Sequence, residues 1–196
     1  MIFYATKKTF ERFGLKEPRE FSDENGRMAA TYILKIQEGD PFKEWALKLF
    51  YFDRRKCIAC VNFTTKLTIF LIDIKVSELE NIGNYISYYI QNIYKDDKEI
   101  QPYLEKYLTD VPVCVFAPLK DKSAIATVNH AVSDFAIDGY RFYDYLKDGI
   151  LNTIKINDDA NFNNLTTADV DGKKDYVFPG KYFKQMIMNH YEAECK

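Results

Sequence analysis

Between Trp45 and Ile74 the chain carries three apolar runs separated by two short polar turns, and this pattern constrains the fold more than any other feature. Trp45, Leu47, Leu49 and Tyr51 alternate with Ala46, Lys48, Phe50 and Phe52, so successive side chains point to opposite faces of one strand. That strand is apolar on both faces for much of its length and belongs inside a sheet covered on both sides. Asp53 opens a tight turn, Asp53-Arg54-Arg55-Lys56-Cys57. Its carboxylate is expected to accept a backbone hydrogen bond as the first residue of a type I turn. The return strand is Cys57-Ile58-Ala59-Cys60-Val61, and a second turn, Asn62-Phe63-Thr64-Thr65, leads into a third strand, Leu67 to Ile72. The expectation is an antiparallel meander over residues 45–74.

The Asp-Arg-Arg-Lys-Cys turn, preceded by a Trp-containing strand and followed by an Asn/Thr turn, resembles an uncharacterised bacterial family known as a domain of unknown function. Thr6-Lys7-Lys8 after a short apolar strand is similar to that family's opening. Ser123-Ala124-Ile125 with Val128-Asn129 is similar to its long helix. The chain departs there by placing His130 after Asn129, where the family has an acidic residue, and by carrying extra residues around 20–40. The resemblance covers most of the first 150 residues. It implies a fold and a bacterial or phage origin, and no activity.

Around the meander, periodicity places further elements. Ile2 to Thr6 reads as a short strand and Lys7 to Phe13 as a helical turn ended by Gly14. Residues 15–27 read as a loop, and Met28 to Ile36 fits a strand or a helical turn equally. Val76 to Tyr94 reads as a helix capped by Ser77, whose Gly83 points to a close packing contact. Lys98 to Leu108 is a second helix and Val111 to Phe116 a strand. Ser123 to Leu146 is the longest helix, with Ile125, Val128, Val132, Phe135, Gly139, Phe142 and Leu146 along one apolar face. Residues 152–174, rich in Asn, Asp and Thr, read as loop, before a last helical element at Lys181 to His190. These elements predict an α+β fold: a mainly antiparallel sheet packed against two or more helices. The expected organisation is one domain over 1–196 with a loop-rich C-terminal appendage over 152–196.

Composition narrows the function classes. A net charge of −2 argues against a dedicated duplex-DNA binder, which carries a basic surplus. The 15 Tyr and 15 Phe suit both strands and interfaces. No window approaches the ~20 apolar residues of a membrane span. The first eight residues show neither a basic leader nor a long apolar core, so a cytoplasmic protein with reduced thiols is expected, without a membrane partner.

Three groups of residues are candidates for chemistry. Arg54, Arg55 and Lys56 can hold phosphate or nucleic acid, or can simply be the solvated end of a hairpin. Cys57 and Cys60 have the spacing of a redox or zinc pair. Residues three apart in a strand point to opposite faces, however, so neither metal nor cofactor is expected. His130, Asp134 and Asp138 recur every four residues beside Asn129, as a metal row, as an acid–base pair or as a polar helix flank. Phosphate-loop, nucleophile-elbow and H-E-x-x-H motifs are absent. The expected function is therefore a non-catalytic interaction or regulatory module with a protein partner, binding through Arg54, Arg55, Lys56 and Asn129. A nucleic-acid-associated protein using the basic turn, and a hydrolase using His130 and Asp134, are the alternatives.

Overall fold

The computed structural model describes residues 1–109, 114–134 and 140–193. Five strands form its central sheet: β1 (Ile2–Ala5), β2 (Glu44–Phe52), β3 (Arg55–Asn62), β4 (Thr68–Leu71) and β5 (Val115–Pro118). Their order is β4-β3-β2-β1-β5. The meander forms as expected: β2 pairs antiparallel with β3 from Trp45↔Asn62 to Phe52↔Arg55, and β3 with β4. Antiparallel pairing dominates by length, but β1 runs parallel to both β2 and β5. Parallel neighbours need crossover connections, and the chain supplies them through the helices that follow β1 and β4.

Those helices are α1 (Lys7–Phe13), α2 (Glu24–Gln37), α3 (Ile82–Ile93), α4 (Gln101–Thr109), α5 (Lys122–Val132), α6 (Tyr140–Asp144), α7 (Thr153–Phe162) and α8 (Pro179–Ala193). They cover both faces of the sheet. Phe3, Trp45, Leu47, Ile58, Cys60 and Ile69 face a core shared with Ile86 and Ile90 of α3, Leu104 of α4 and Phe183 of α8. Ala46, Phe50, Cys57, Ala59 and Phe70 face the opposite core, with Val128 of α5, Phe142 of α6 and Ile156 of α7. At the β5 end, Ala30 of α2 packs with Ile2, Val115 and Ala117. The segment that fits strand or helix equally is therefore helical, and the loop expected over 15–27 already contains its start. Asp23 caps α2, its carboxylate accepting from the Gly26 N–H at 2.5 Å.

Both sheet edges are managed. The Val115 and Leu119 N–H groups donate to β1, so Phe116 and Pro118 alternate outward, and Pro118 brings no N–H to the open edge. On the other edge, α7 takes the place of a sixth strand. Asn161 accepts from the Thr68 N–H at 2.8 Å and donates to its carbonyl at 2.6 Å. Asn157 does the same for Phe70, at 2.6 Å and 3.1 Å. Four residues of helix rise about 6.0 Å and two residues of strand about 6.6 Å, so the two asparagines match alternate strand positions.

This corrects the reading of 152–174 as loop. Residues 153–162 are helical, capped by Asn152 accepting from the Lys155 N–H at 3.0 Å. A hairpin follows, β8 (Thr166–Val170) with β9 (Lys173–Val177), and α8 begins at Pro179 rather than at Lys181.

Two helices also differ from expectation. Residues Val76–Asn81 form a 3-10 turn before α3, entered through the Lys75 N–H donating to the Glu78 carboxylate at 2.6 Å rather than through a Ser77 cap. The helix expected over 123–146 does not reach Leu146: α5 spans Lys122–Val132, α6 ends at Asp144, and Leu146 opens a small hairpin, β6 (Leu146–Lys147) with β7 (Ile150–Leu151). Asp148 and Gly149 adopt positive φ there, which reverses the chain. Phe135, Asp138 and Gly139 lie outside the described residues, as do Val111 to Val113 of the expected strand. Gly83 makes the close contact its place in a helix suggested, since a Cβ there would stand 2.5 Å from Cys114 Sγ.

Candidate functional site

Three two-residue hairpin turns share one geometry. Asp53-Arg54 joins Phe52 to Arg55 with φ of 48° and 64°. Asp148-Gly149 has 53° and 77°, and Asp171-Gly172 has 52° and 78°. Positive φ at both central residues is the type I′ turn, whose twist suits a hairpin and whose second position favours glycine. The first turn puts Arg54 at that position. This replaces the expected type I turn, and the Asp53 carboxylate accepts from the Tyr143 hydroxyl instead of from its own backbone. That bond raises the Tyr143 phenol's pKa. The Tyr143 ring also lies 4.9 Å from that of Phe52.

Other cations gather at this end of the sheet. β1 stops at Ala5, and α1 then runs along the vacated edge of β2, where the Leu49 N–H donates to Thr9 Oγ1 at 2.8 Å. The same helix carries Lys8, whose Nζ stands 5.5 Å over the ring of Tyr51. Tyr51 is 47% exposed and pairs across the hairpin with Lys56. Lys48 has its pKa lowered, first by burial and then by the neighbouring Lys8. Among the described residues, none of Lys8, Lys48, Arg54, Arg55 and Lys56 forms an ion pair. Arg54 and Arg55 are exposed and Lys56 is half-buried.

The row on the long helix lies elsewhere. His130 and Asp134 are exposed, and they line a cleft of about 330 Å³ between α5 and the β8–β9 hairpin. Ser123 and Thr127 extend the same wall, and Lys66 and Lys174 reach in from the β3–β4 loop and from β9. Asn129 is exposed and does not line this cleft, nor does Arg54, so the basic turn and the His130 row are separate surfaces. Neither the His130 nor the Asp134 side chain is tied by a hydrogen bond to another described residue.

The cysteine pair splits as strand geometry requires. Cys57 faces the core with Phe50 and Phe70, and Cys60 faces the one with Trp45 and Ile69. Burial pushes both thiols up, Cys60 the further. Among the described residues no group of three or more His, Cys, Asp or Glu side chains is placed to hold a metal ion. No described helix is long and apolar enough to cross a membrane.

Sequence reasoning missed Lys8, Lys48, Lys66, Lys174 and Tyr143, which reach these surfaces only through tertiary packing. One local signal was present. Asp148-Gly149 and Asp171-Gly172 are hairpin dipeptides, and they would have exposed Asp53-Arg54 as the variant among three equivalent turns.

Comparison with known proteins bears on identity alone. No curated protein and no solved structure matches the chain. A family model does match, over residues 2–182, beyond the stretch on which the resemblance was read. The chain belongs to the family described as Domain of unknown function (DUF6933).

Proposed function

We propose that this chain is a non-catalytic interaction module of the bacterial cytoplasm, folded as one domain, that captures an acidic segment of a partner protein at its basic hairpin end. The observation that carries this reading is Arg54. Two of three equivalent turns hold glycine at the second position, and the third holds an arginine with φ of 64°. A left-handed conformation costs a non-glycine residue roughly 1 kcal/mol. Local strain of this kind concentrates where a side chain is needed for function.

The surroundings support the same reading. Lys8, Lys48, Arg55 and Lys56 add positive charge and form no ion pair among the described residues, and two exposed tyrosines adjoin them, Tyr51 beneath Lys8 and opposite Lys56 and Tyr143 bonded to Asp53. Tyrosine and arginine are the residues that carry binding energy at interfaces. Acidic side chains would complete the unpaired cations, and the rigid hairpin lowers the cost of ordering them. The net charge of −2 favours a local acidic segment over an extended polyanion. As for catalysis, the His130 and Asp134 side chains bond to no other described residue, whereas an acid–base pair works through partners that orient it.

A second reading rests on the two exposed tyrosines. Aromatic rings interleaved with cations can also stack the bases of single-stranded nucleic acid. One titration separates the readings. A fluorescent Asp/Glu-rich peptide and a fluorescent single-stranded oligonucleotide are each titrated with the wild-type chain and with Arg54→Ala/Arg55→Ala. The proposal expects salt-sensitive peptide binding that weakens in the double variant, with stability changed by no more than about 1 kcal/mol per exposed charge. Tighter oligonucleotide binding would select the second reading. Peptide binding indifferent to both arginines would end the first.

A further inference from the structure

We propose that the cleft between α5 and the β8–β9 hairpin binds a small phosphorylated polyol, with the phosphate at the Lys66–Lys174 end and the hydroxyls toward Asp134. This site shares no residue with the hairpin end and stands or falls separately.

Lys66 is the anchor. It lies in a loop fixed by Asn62, which is fully buried. The Asn62 side-chain oxygen accepts from the Thr65 N–H and the Thr65 hydroxyl, each at 2.8 Å, and its amide donates to the Phe42 and Glu44 carbonyls. The loop turns through Lys66 itself, at φ 62°, and the ammonium donates to the Phe63 carbonyl. That leaves a rigidly mounted, half-buried cation with no carboxylate bound to it among the described residues. Its pKa is lowered, first by burial and then by Lys174, while Asp121 and Asp169 act in the opposite direction. Both of those carboxylates have other partners. Asp121 accepts from the Ala124 N–H at the start of α5, at 2.6 Å, and Asp169 pairs with Lys174 at 3.6 Å. A bound dianion would satisfy Lys66 and share Lys174.

The remaining lining sets the ligand class. Near the lysines the lining carries the hydroxyls of Ser123 and Thr167 and no arginine fork, while the Thr127 hydroxyl beside them already donates to the Ser123 carbonyl at 3.0 Å. Point donors of this kind suit a tetrahedral phosphate better than a flat carboxylate. At the other end Asp134 borders a second small hollow with Thr166 and Asn164, acceptors and donors for sugar-like hydroxyls. Ser123 and Asp134 are separated by roughly 16 Å along the helix, and a volume of about 330 Å³ lies at the small end of ligand pockets.

The test is calorimetric titration of the full chain with a six-carbon polyol phosphate, sorbitol 6-phosphate, and with inorganic phosphate and sorbitol, with NMR shifts to locate binding. Sorbitol 6-phosphate should bind most tightly, inorganic phosphate more weakly and sorbitol not at all, with shifts at the Ser123, Thr127 and Thr167 amides. Lys66→Gln and Lys174→Gln should each weaken the ester about tenfold or more, the loss of one charge-assisted hydrogen bond. Lys174 is exposed, so its variant remains informative if the Lys66 loop fails to fold. Asp134→Asn should bring the ester toward inorganic phosphate. Absence of saturable phosphate binding, affinity indifferent to both lysines, or inorganic phosphate binding as tightly as the ester would each overturn the proposal.

Discussion

Replacing Asn157 by alanine removes one rung of the side-chain ladder that closes the β4 edge. The Phe70 N–H and carbonyl both bond to Asn157, at 2.6 Å and 3.1 Å, and Phe70 and Asn157 are fully buried. Truncation takes from two buried backbone groups the partner they have in Asn157, at about 1–3 kcal/mol each, so the expected loss is about 2–6 kcal/mol. Against a typical domain stability of about 5–15 kcal/mol this is large. Asn163 is a matched control. It is on the same segment but exposed, and its side-chain amide donates to the Asp159 carboxylate rather than to a strand. Its alanine variant should cost no more than about 0.5 kcal/mol. A urea titration followed through the single tryptophan, Trp45, which is fully buried, reads both variants. Hydrogen exchange at the Phe70 amide should accelerate in Asn157→Ala. If Asn157→Ala loses under 0.5 kcal/mol and that amide stays protected, α7 does not act as the edge's missing strand.

Gly83→Ala should destabilise by about 1–3 kcal/mol through overpacking, since the new Cβ would stand 2.5 Å from Cys114 Sγ. Combining it with Cys114→Ala should recover part of that loss in the same urea titration. Cys57 and Cys60 are buried with thiol pKa values raised by that burial, so both should resist a thiol reagent in the native protein at mildly alkaline pH and react on denaturation. Mass spectrometry of labelled peptides separates them from Cys114 and Cys195.

The central sheet was legible because its signal is local. Alternation over Trp45–Phe52 and the two turns after it specify three strands whose partners are their chain neighbours. The parallel half was hidden, since β1 and β5 are four residues each and meet only after the intervening helices have packed. The Asn157–Asn161 helix was misread for a physical reason. Asparagine lowers helix propensity by competing for backbone hydrogen bonds, and here the backbone it bonds is a sheet edge some ninety residues earlier in the chain. The apolar spacing over 123–146 does place Val128, Val132 and Phe142 in one core, but at Leu146 it runs into a hairpin whose turn, Asp148-Gly149, is the signal that ends it. Of the candidate surfaces, Arg54, Arg55 and Lys56 could be read as charges, but the strain at Arg54 appears only in the backbone angles. Lys8 and Lys48 join them because β1 is short enough to let α1 take over the β2 edge.

The most direct measurement of the central claim is Arg54→Gly, read by denaturant midpoint and by acidic-peptide affinity on the same sample. Glycine relieves the left-handed conformation, so stability should rise by up to about 1 kcal/mol. The cation is lost, so affinity should fall. A variant that is more stable and binds less well would mark Arg54 as a residue kept for binding at the expense of the fold. A variant that binds the peptide as tightly as the wild type, whatever its stability, would contradict the account.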